Sequence, residues 1–133
     1  MFADISWVAA ALCVVAATVV GGLWYSPLMA GKAWMAELGK TPQQLGNPIQ
    51  AMITAMAMNL IAAVVMQKVI AWRGAEGLGA ALTTSFVVWL GFAGAMQLMQ
   101  DRFHGRSIKL SAINAVNTLA SYLAMGAVIY FVA

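Results

Sequence analysis

Four long stretches that are almost free of charged residues constrain this chain more than any other feature of its sequence. They are residues 5–24, 49–72, 78–99 and 110–132, each 20 to 24 residues long. An α-helix rises ~1.5 Å per residue, so each stretch is long enough to cross the ~30 Å hydrocarbon core of a bilayer. The ~10-residue alternation of polar and apolar residues that marks a transmembrane β-barrel is absent. The stretches therefore predict an all-α integral membrane protein, with four transmembrane helices in a single domain spanning residues 1–133.

The composition excludes the other broad classes of protein. Of the 133 residues, 63% are hydrophobic and 8% are charged, against ~45–50% and ~25% in ordinary soluble domains. So few charges cannot cover a soluble domain, and a disordered chain requires low hydrophobicity. Lys68 is the one charged residue within a stretch, four residues before Trp72. Its side chain is therefore expected to reach the membrane interface.

The distribution of lysine and arginine predicts how the chain is oriented. The loops after the first and third stretches lie on one side and contain five basic residues, Lys32, Lys40, Arg102, Arg106 and Lys109. The other side has two, Lys68 and Arg73. Because basic residues accumulate in cytoplasmic loops, we expect the first side to be cytoplasmic and both termini to lie outside.

The longest loop, which follows the first stretch, predicts a short helix in the membrane interface at residues 28–38. Ser26 and Pro27 are suited to starting this helix. Trp34 is suited to anchoring it at the interface, and Gly39 to ending it. Residues 41–44 have the spacing of a capping box and predict one further turn. An irregular re-entrant loop is the alternative interpretation of this segment.

Residues that carry catalytic or metal-binding chemistry are scarce. None of the four stretches contains Asp, Glu, Arg or His, and the chain has a single cysteine, Cys13, and a single histidine, His104. Without an intramembrane carboxylate, proton-coupled antiport is not expected. Without an acid–base pair or a set of metal ligands, we expect no enzymatic activity, no cofactor and no bound metal.

The loop between the third and fourth stretches is basic. Its residues Arg102, His104, Arg106 and Lys109 are candidates for binding anionic lipid headgroups. Any cytoplasmic loop would be similarly basic, so an ordinary solvated loop is the alternative. The expected partners of the protein are the lipid bilayer and either further copies of itself or a larger membrane complex, and not nucleic acid.

Uncharged polar residues inside the stretches are the most informative set. They are Asn59, Trp89, Gln97, Asn114, Asn117 and Ser121. The last three are spaced i, i+3 and i+7, so they share one face of a helix. Because an unsatisfied amide in lipid costs several kcal/mol, we expect these groups to face one another. Two interpretations are open: hydrogen bonds that hold the helices together, or the lining of a small polar cavity.

Segments near both ends of the chain resemble a known family. Residues 22–28 (GLWYSPL) and 31–35 (GKAWM) resemble the signature of a bacterial family of small membrane proteins that is defined only as a domain of unknown function. Residues 109–115 and 125–127 are similar to its closing motif, although Asn117 stands where members often have an aromatic residue. The resemblance implies four spans in a bacterial inner membrane, and no reaction.

The signature itself invites two interpretations. We call its polar and aromatic residues the signature corner, which comprises Trp24, Tyr25, Ser26, Pro27, Lys32 and Trp34. Trp24 and Tyr25 end the first stretch, and Pro27 redirects the chain into the plane of the interface. The signature corner is then either a fixed structural corner or the mouth of a site, such as one for a lipid headgroup.

Together these observations favour one function and leave an alternative open. The favoured function is a non-enzymatic bundle that self-associates or serves as an accessory subunit of a larger membrane complex. The alternative is a channel or transporter for a small solute or ion, with a neutral polar pathway lined by Asn59, Asn114, Asn117 and Ser121. A membrane enzyme that acts on lipids has the least support, because no acid–base pair is present.

Overall fold

Residues 2–133 fold into four long helices and one short helix. The structure is a computed structural model and describes residues 2–133, apart from the side chain of Pro42. The helices are α1 (Trp7–Trp24), α2 (Gly31–Leu38), α3 (Pro48–Arg73), α4 (Gly77–Phe103) and α5 (Ile108–Val132), with a 3-10 turn, Pro42–Gln44, before α3. All but α2 are long and apolar enough to cross a membrane, and residues 2–133 contain no strand. The predicted all-α fold with four spans and a short helix after the first is confirmed; Met1, part of the predicted domain, lies outside the described residues.

The starts of three helices follow from side-chain caps. Ser6 Oγ accepts a hydrogen bond from the Ala9 N–H at 3.1 Å, so α1 begins at Trp7 rather than at residue 5 as predicted. Asn47 Oδ1 accepts from the Ile49 N–H at 2.9 Å and starts α3. Ser107 Oγ accepts from the Leu110 N–H at 3.0 Å and starts α5. Each oxygen satisfies an N–H that has no partner within its helix.

The short helix α2 forms, but it is shorter than the predicted span of residues 28–38. Ser26 does not cap it, because Ser26 Oγ instead donates to Leu23 O at 2.7 Å. Residues 27–30 form turns, in which the Ala30 N–H donates to Trp24 O at 2.8 Å. Helical geometry therefore begins only at Gly31. As predicted, α2 ends at Gly39, whose φ of +66° lies in the left-handed region that glycine adopts readily.

The packed core occupies the end of the bundle away from α2. Helix α5 packs against α1, α4 and α3. The core side chains are Ala10, Cys13, Ala17, Ala63, Met66, Met125 and Ile129. Most are small, which allows the helix backbones to approach closely. The closest approach is at Gly126, where a Cβ would overlap Ser85 Oγ and lie 3.2 Å from Ala81 O.

Helix α3 joins the bundle only through its second half. Every residue from 48 to 58 is exposed, whereas Ala63, Met66, Gln67 and Lys68 are buried. The first half of α3 therefore stands away from α1 and α5. This leaves a concave space between α3 and the other two helices.

Candidate functional site

The signature corner is tied to the start of α5 by two hydrogen bonds. The Trp24 indole N–H donates to Ile113 O at 2.8 Å, and the Tyr25 hydroxyl donates to Asn114 Oδ1 at 2.6 Å. The Tyr25 ring also lies 5.0 Å from the Trp34 ring of α2, centroid to centroid. Burial raises the pKa of Tyr25 to about 12. Tyr25 thus joins α1, α2 and α5.

Gly31 explains why the signature corner folds so tightly. A Cβ at this position would overlap Tyr25 O and lie 2.7 Å from Ser26 O, both of them backbone atoms. Only glycine permits this approach of α2 to the turn before it. Pro27 and Lys32, by contrast, are exposed. The structure thus gives Trp24, Tyr25, Ser26 and Trp34 intramolecular contacts, in keeping with a fixed corner.

A groove of about 1110 Å³ opens next to the signature corner. It lies between the second half of α1, the first half of α3 and the middle of α5, with Tyr25, Trp34 and residues 45–48 around its mouth. The packed core closes its other end, so the groove reaches only part of the way along the bundle. Its polar lining includes Thr18, Asn59, Asn117, Ser121 and Tyr122, and we call it the amide groove. None of its lining residues in the described chain is charged.

The structure divides the predicted polar residues into two groups. Asn114, Gln97 and Trp89 form hydrogen bonds between elements and do not line the amide groove. The Gln97 amide donates to Ser111 O at 3.2 Å, and the Trp89 indole donates to Thr118 Oγ1 at 2.9 Å. Trp89 begins a π-helical segment of α4, Trp89–Gly94, a form that is rare and often found at functional sites. This group matches the first interpretation, hydrogen bonds that hold helices together.

The second group, Asn59, Asn117 and Ser121, lines the amide groove without protein partners. Asn117 Oδ1 is fully enclosed and accepts no hydrogen bond. It lies beside Gly21, where a Cβ would be 3.8 Å from it. Ser121 is 8% exposed, and neither it nor Asn59 forms a side-chain hydrogen bond within residues 2–133. This group matches the second interpretation, the lining of a polar cavity.

Thr18 and Tyr122 are among the further polar residues that line the amide groove, and neither is one of the predicted site residues. Thr18 Oγ1 donates to Val14 O at 2.8 Å within α1, which leaves the oxygen lone pairs free to accept. The available signal was that each is a hydroxyl inside a predicted span, and Tyr122 directly follows Ser121.

Three of the four residues proposed to bind lipid headgroups have partners within the protein. Arg106 pairs with Asp101 at 3.0 Å, and Arg102 donates to Ser111 Oγ at 2.8 Å. Lys109 lies 3.9 Å from Glu37 of α2. His104 is exposed. Headgroup binding by this loop stays a prediction.

Asp101 is the clearest residue that sequence reasoning missed. It is 2% exposed, and Ser111 Oγ donates to its Oδ2 at 2.7 Å. The sequence placed it beyond the third span, yet it lies inside α4, two residues before the end of the helix. Asp101 therefore joins the last turn of α4 to the first turns of α5. The sequence does carry one indication of this ion pair, since Asp101 and the basic residue Arg106 stand on either side of a short loop.

An ion pair of the described residues lies at the opposite end of the bundle. Lys68 Nζ lies 2.6 Å from Asp4 Oδ1, so this buried lysine is paired with a carboxylate that precedes α1. Gln67 also binds the residues just before α1, because its side-chain amide accepts a hydrogen bond from the Ser6 N–H and donates one to Ser6 O, each at 3.0 Å. In residues 2–133, no three His, Cys, Asp or Glu side chains are grouped as metal ligands would be.

Comparison with known proteins identifies the family. A family model described as "Protein of unknown function (DUF1761)" matches residues 8–130, nearly the whole chain. No curated protein and no solved structure matches. The match confirms the resemblance to a family defined only as a domain of unknown function. The chain belongs to the DUF1761 family, and it is a multi-pass membrane protein of that family by the length and composition of its four long helices.

Proposed function

We propose that this protein is a non-enzymatic membrane protein that binds a small uncharged molecule in the amide groove. The observation that carries the proposal is the set of polar side chains there without protein partners, Asn59, Asn117 and Ser121. At membrane depth such groups cost several kcal/mol unless something satisfies them. An occupant with hydrogen-bonding groups, either water or a ligand, removes that cost.

The chemistry of the lining supports binding rather than catalysis. Acid–base and nucleophilic catalysis use side chains that gain or lose a proton near neutral pH, such as Asp, Glu, His, Lys or Cys. The lining residues of the amide groove include none of these. Its titratable groups are the hydroxyls of Tyr25 and Tyr122. The amides and hydroxyls instead provide neutral donors and acceptors, which is typical of recognition.

The depth of the amide groove supports a binding site rather than an open pore. A continuous pathway requires polar groups from one membrane face to the other. On the side of Ser121 away from the signature corner, the core residues Cys13, Met66 and Met125 fill the space between the helices. This packing favours a closed-ended groove over the predicted open pathway. Transport of a solute would require the core to rearrange, whereas binding would not.

Cysteine accessibility tests the proposal. In a Cys13→Ala background, Asn117→Cys and Ser121→Cys are expected to react with a membrane-impermeant sulfonated maleimide in oriented vesicles. Met125→Cys in the packed core and Val116→Cys on the outer surface of α5 are matched controls that are expected not to react. Reaction from the side of the signature corner only would agree with a closed-ended groove, and that side is expected to be cytoplasmic. If neither groove position reacts from either side in vesicles of phospholipid alone, to which no other amphiphile has been added, the proposal is wrong.

Self-association is the second candidate, and a separate observation favours it. Ile49, Met52 and Ile53 are between half and two-thirds exposed, on a half-helix that touches little of its own chain. A second copy of the protein, or another subunit, would cover this apolar surface by van der Waals packing. An Ile53→Cys variant lacking Cys13 is expected to form a disulfide-linked dimer in membranes if α3 is the interface. A single monomeric species in native mass spectrometry, without crosslinks, would oppose this candidate.

A further inference from the structure

The amide groove has features that restrict the chemistry of its occupant. The inference below rests on the proposed function and deepens it. We infer that the occupant is a neutral amphiphile, with a head that both donates and accepts hydrogen bonds at Asn59, Asn117 and Ser121 and an apolar chain along Met52 and Met56. Single-chain lipids with an uncharged hydroxylated head, such as monoacylglycerols, have this chemistry.

The charge of the occupant follows from the lining. A charged head in a site of low dielectric constant requires an opposite charge or several charge-assisted hydrogen bonds. No Lys, Arg, His, Asp or Glu is among the described residues that line the amide groove. The nearest cation of the signature corner, Lys32, is exposed and is not part of the lining. An anionic fatty acid or phospholipid head would therefore be left unpaired, and the groove selects a neutral one.

The hydrogen-bonding pattern of the head follows from the residue types. Each asparagine amide presents both donors and an acceptor, and the serine hydroxyl presents one donor and two lone pairs. A head that only accepts, such as an ester or a quinone, would leave the oxygens of Asn59 and Asn117 without donors. A hydroxyl or a primary amide on the head satisfies both kinds of group. Ser121 is more than nine-tenths buried and has no protein partner, so its hydroxyl is available to the head of a bound molecule.

The path of the apolar chain follows from helix α3. Met52, Met56 and Asn59 are spaced i, i+4 and i+7, so they share one face of the helix, and all three line the amide groove. Methionine side chains are flexible and adapt to chains of varied shape. Because residues 48–58 are exposed, the groove is open along α3 to the surrounding bilayer. The chain of a bound lipid can leave the groove there and join the hydrocarbon.

Photolabelling of the purified full-length protein tests this inference. Three probes carry the same chain with a diazirine: a monoacylglycerol, the corresponding methyl ester, which has acceptors only, and the free fatty acid, which is anionic. We expect the monoacylglycerol probe to label α3 around Met52 and Met56, with at least tenfold preference over the other two and with competition by unlabelled monoacylglycerol. Ser121→Ala is expected to reduce this labelling about fivefold, as the loss of one neutral hydrogen bond predicts. Ser85→Ala, which changes a buried serine of α4 that does not line the amide groove, is the matched control and is expected to leave the labelling unchanged.

The outcomes separate this inference from the proposed function. Equal labelling by the methyl ester, or preference for the fatty acid, would overturn the assignment of the head. Disulfide formation between Met52→Cys residues of two copies, at the expense of labelling, would show that a second copy fills the groove and would also overturn it. If unlabelled monoacylglycerol reduces labelling by none of the probes while Ser121→Cys still reacts with the maleimide, the inference is wrong. The proposed function of the amide groove as a binding site then stands. If Ser121→Cys and Asn117→Cys are also unreactive, the proposed function fails as well.

Discussion

Replacing Gly31 by alanine is expected to disrupt the signature corner and to destabilise the whole protein. The new Cβ would overlap Tyr25 O and lie 2.7 Å from Ser26 O, against an ordinary contact of 3.4 Å or more. Because both oxygens belong to the backbone, no side-chain rotation relieves the overlap, and the turn must move by about 0.7 Å or more at Ser26. Such overpacking costs ~1–3 kcal/mol. The shift also strains the backbone hydrogen bonds from Ala30 to Trp24 O and from Gly31 to Ser26 O, each worth ~1 kcal/mol.

The expected decrease in the free energy of unfolding is therefore ~1–5 kcal/mol. It is measured by titrating SDS into the purified protein in mixed micelles and following tryptophan fluorescence. Gly22→Ala is the matched control, because a Cβ there meets nothing within 4 Å, and its stability is expected to change by less than ~0.5 kcal/mol. If Gly31→Ala unfolds at the same SDS fraction as Gly22→Ala, then α2 does not pack against the turn as described.

Two further predictions concern charged residues at the two ends of the bundle. Asp101→Asn is expected to lower the free energy of unfolding by ~2–3 kcal/mol, because it removes a buried charge that pairs with Arg106. Glu76→Gln is the control, since Glu76 is exposed, and it should change the free energy of unfolding little. The same SDS titration measures both variants. The pKa of Asp4 is lowered by the hydrogen bond from the Lys68 ammonium, so the pair stabilises the fold above the pKa of an unfolded aspartate, ~3.9. This stabilisation is lost as the pH falls through the lower pKa of the folded state. Asp4→Asn should therefore unfold with a shallower pH dependence below pH ~4, and an unchanged slope would contradict the pairing.

The architecture was predictable because the spans are set by one-dimensional properties of the chain. A long uncharged apolar run must be a helix in lipid whatever it packs against. The starts of α3 and α5 are also local features of the sequence, because Asn47 before Pro48 and Ser107 before Ile108 are residues typical of helix starts. The start of α2 was not predictable in this way. It depends on Gly31 packing against backbone oxygens of the preceding turn, which is a contact and not a propensity.

The candidate site was predictable in its residues but not in its arrangement. Helical spacing placed Asn114, Asn117 and Ser121 on one face of α5, and the cost of unpaired amides in lipid marked them as important. Which of them find partners depends on where the neighbouring helices lie. Asn114 meets Tyr25, whereas Asn117 and Ser121 face the space left by α3. The departure of α3 from the bundle has no signature in its sequence, because both of its halves are apolar enough for lipid.

Asn114 and Asn117 give a direct comparison of the two roles that intramembrane amides play here. They lie three residues apart on α5, yet Asn114 accepts a hydrogen bond from Tyr25 at 2.6 Å and Asn117 Oδ1 accepts none. Asn114→Leu leaves the Tyr25 hydroxyl without its acceptor and is expected to lower the free energy of unfolding by ~1–2 kcal/mol. Asn117→Leu removes an enclosed acceptor that has no donor, so the free energy of unfolding is expected to stay the same or to rise by up to ~1 kcal/mol.

Binding is expected to respond in the opposite order. Asn117→Leu replaces an amide of the groove by an apolar group and should reduce labelling by the monoacylglycerol probe. Asn114 does not line the groove, so Asn114→Leu should reduce the labelling less. Both variants are compared under conditions where they are folded. A gain in stability accompanied by a loss of binding is the pattern of a residue kept for function at a cost to the fold. If Asn117→Leu is instead as destabilising as Asn114→Leu, then Asn117 is one more hydrogen-bonded contact between helices, and the amide groove loses the observation on which its function rests.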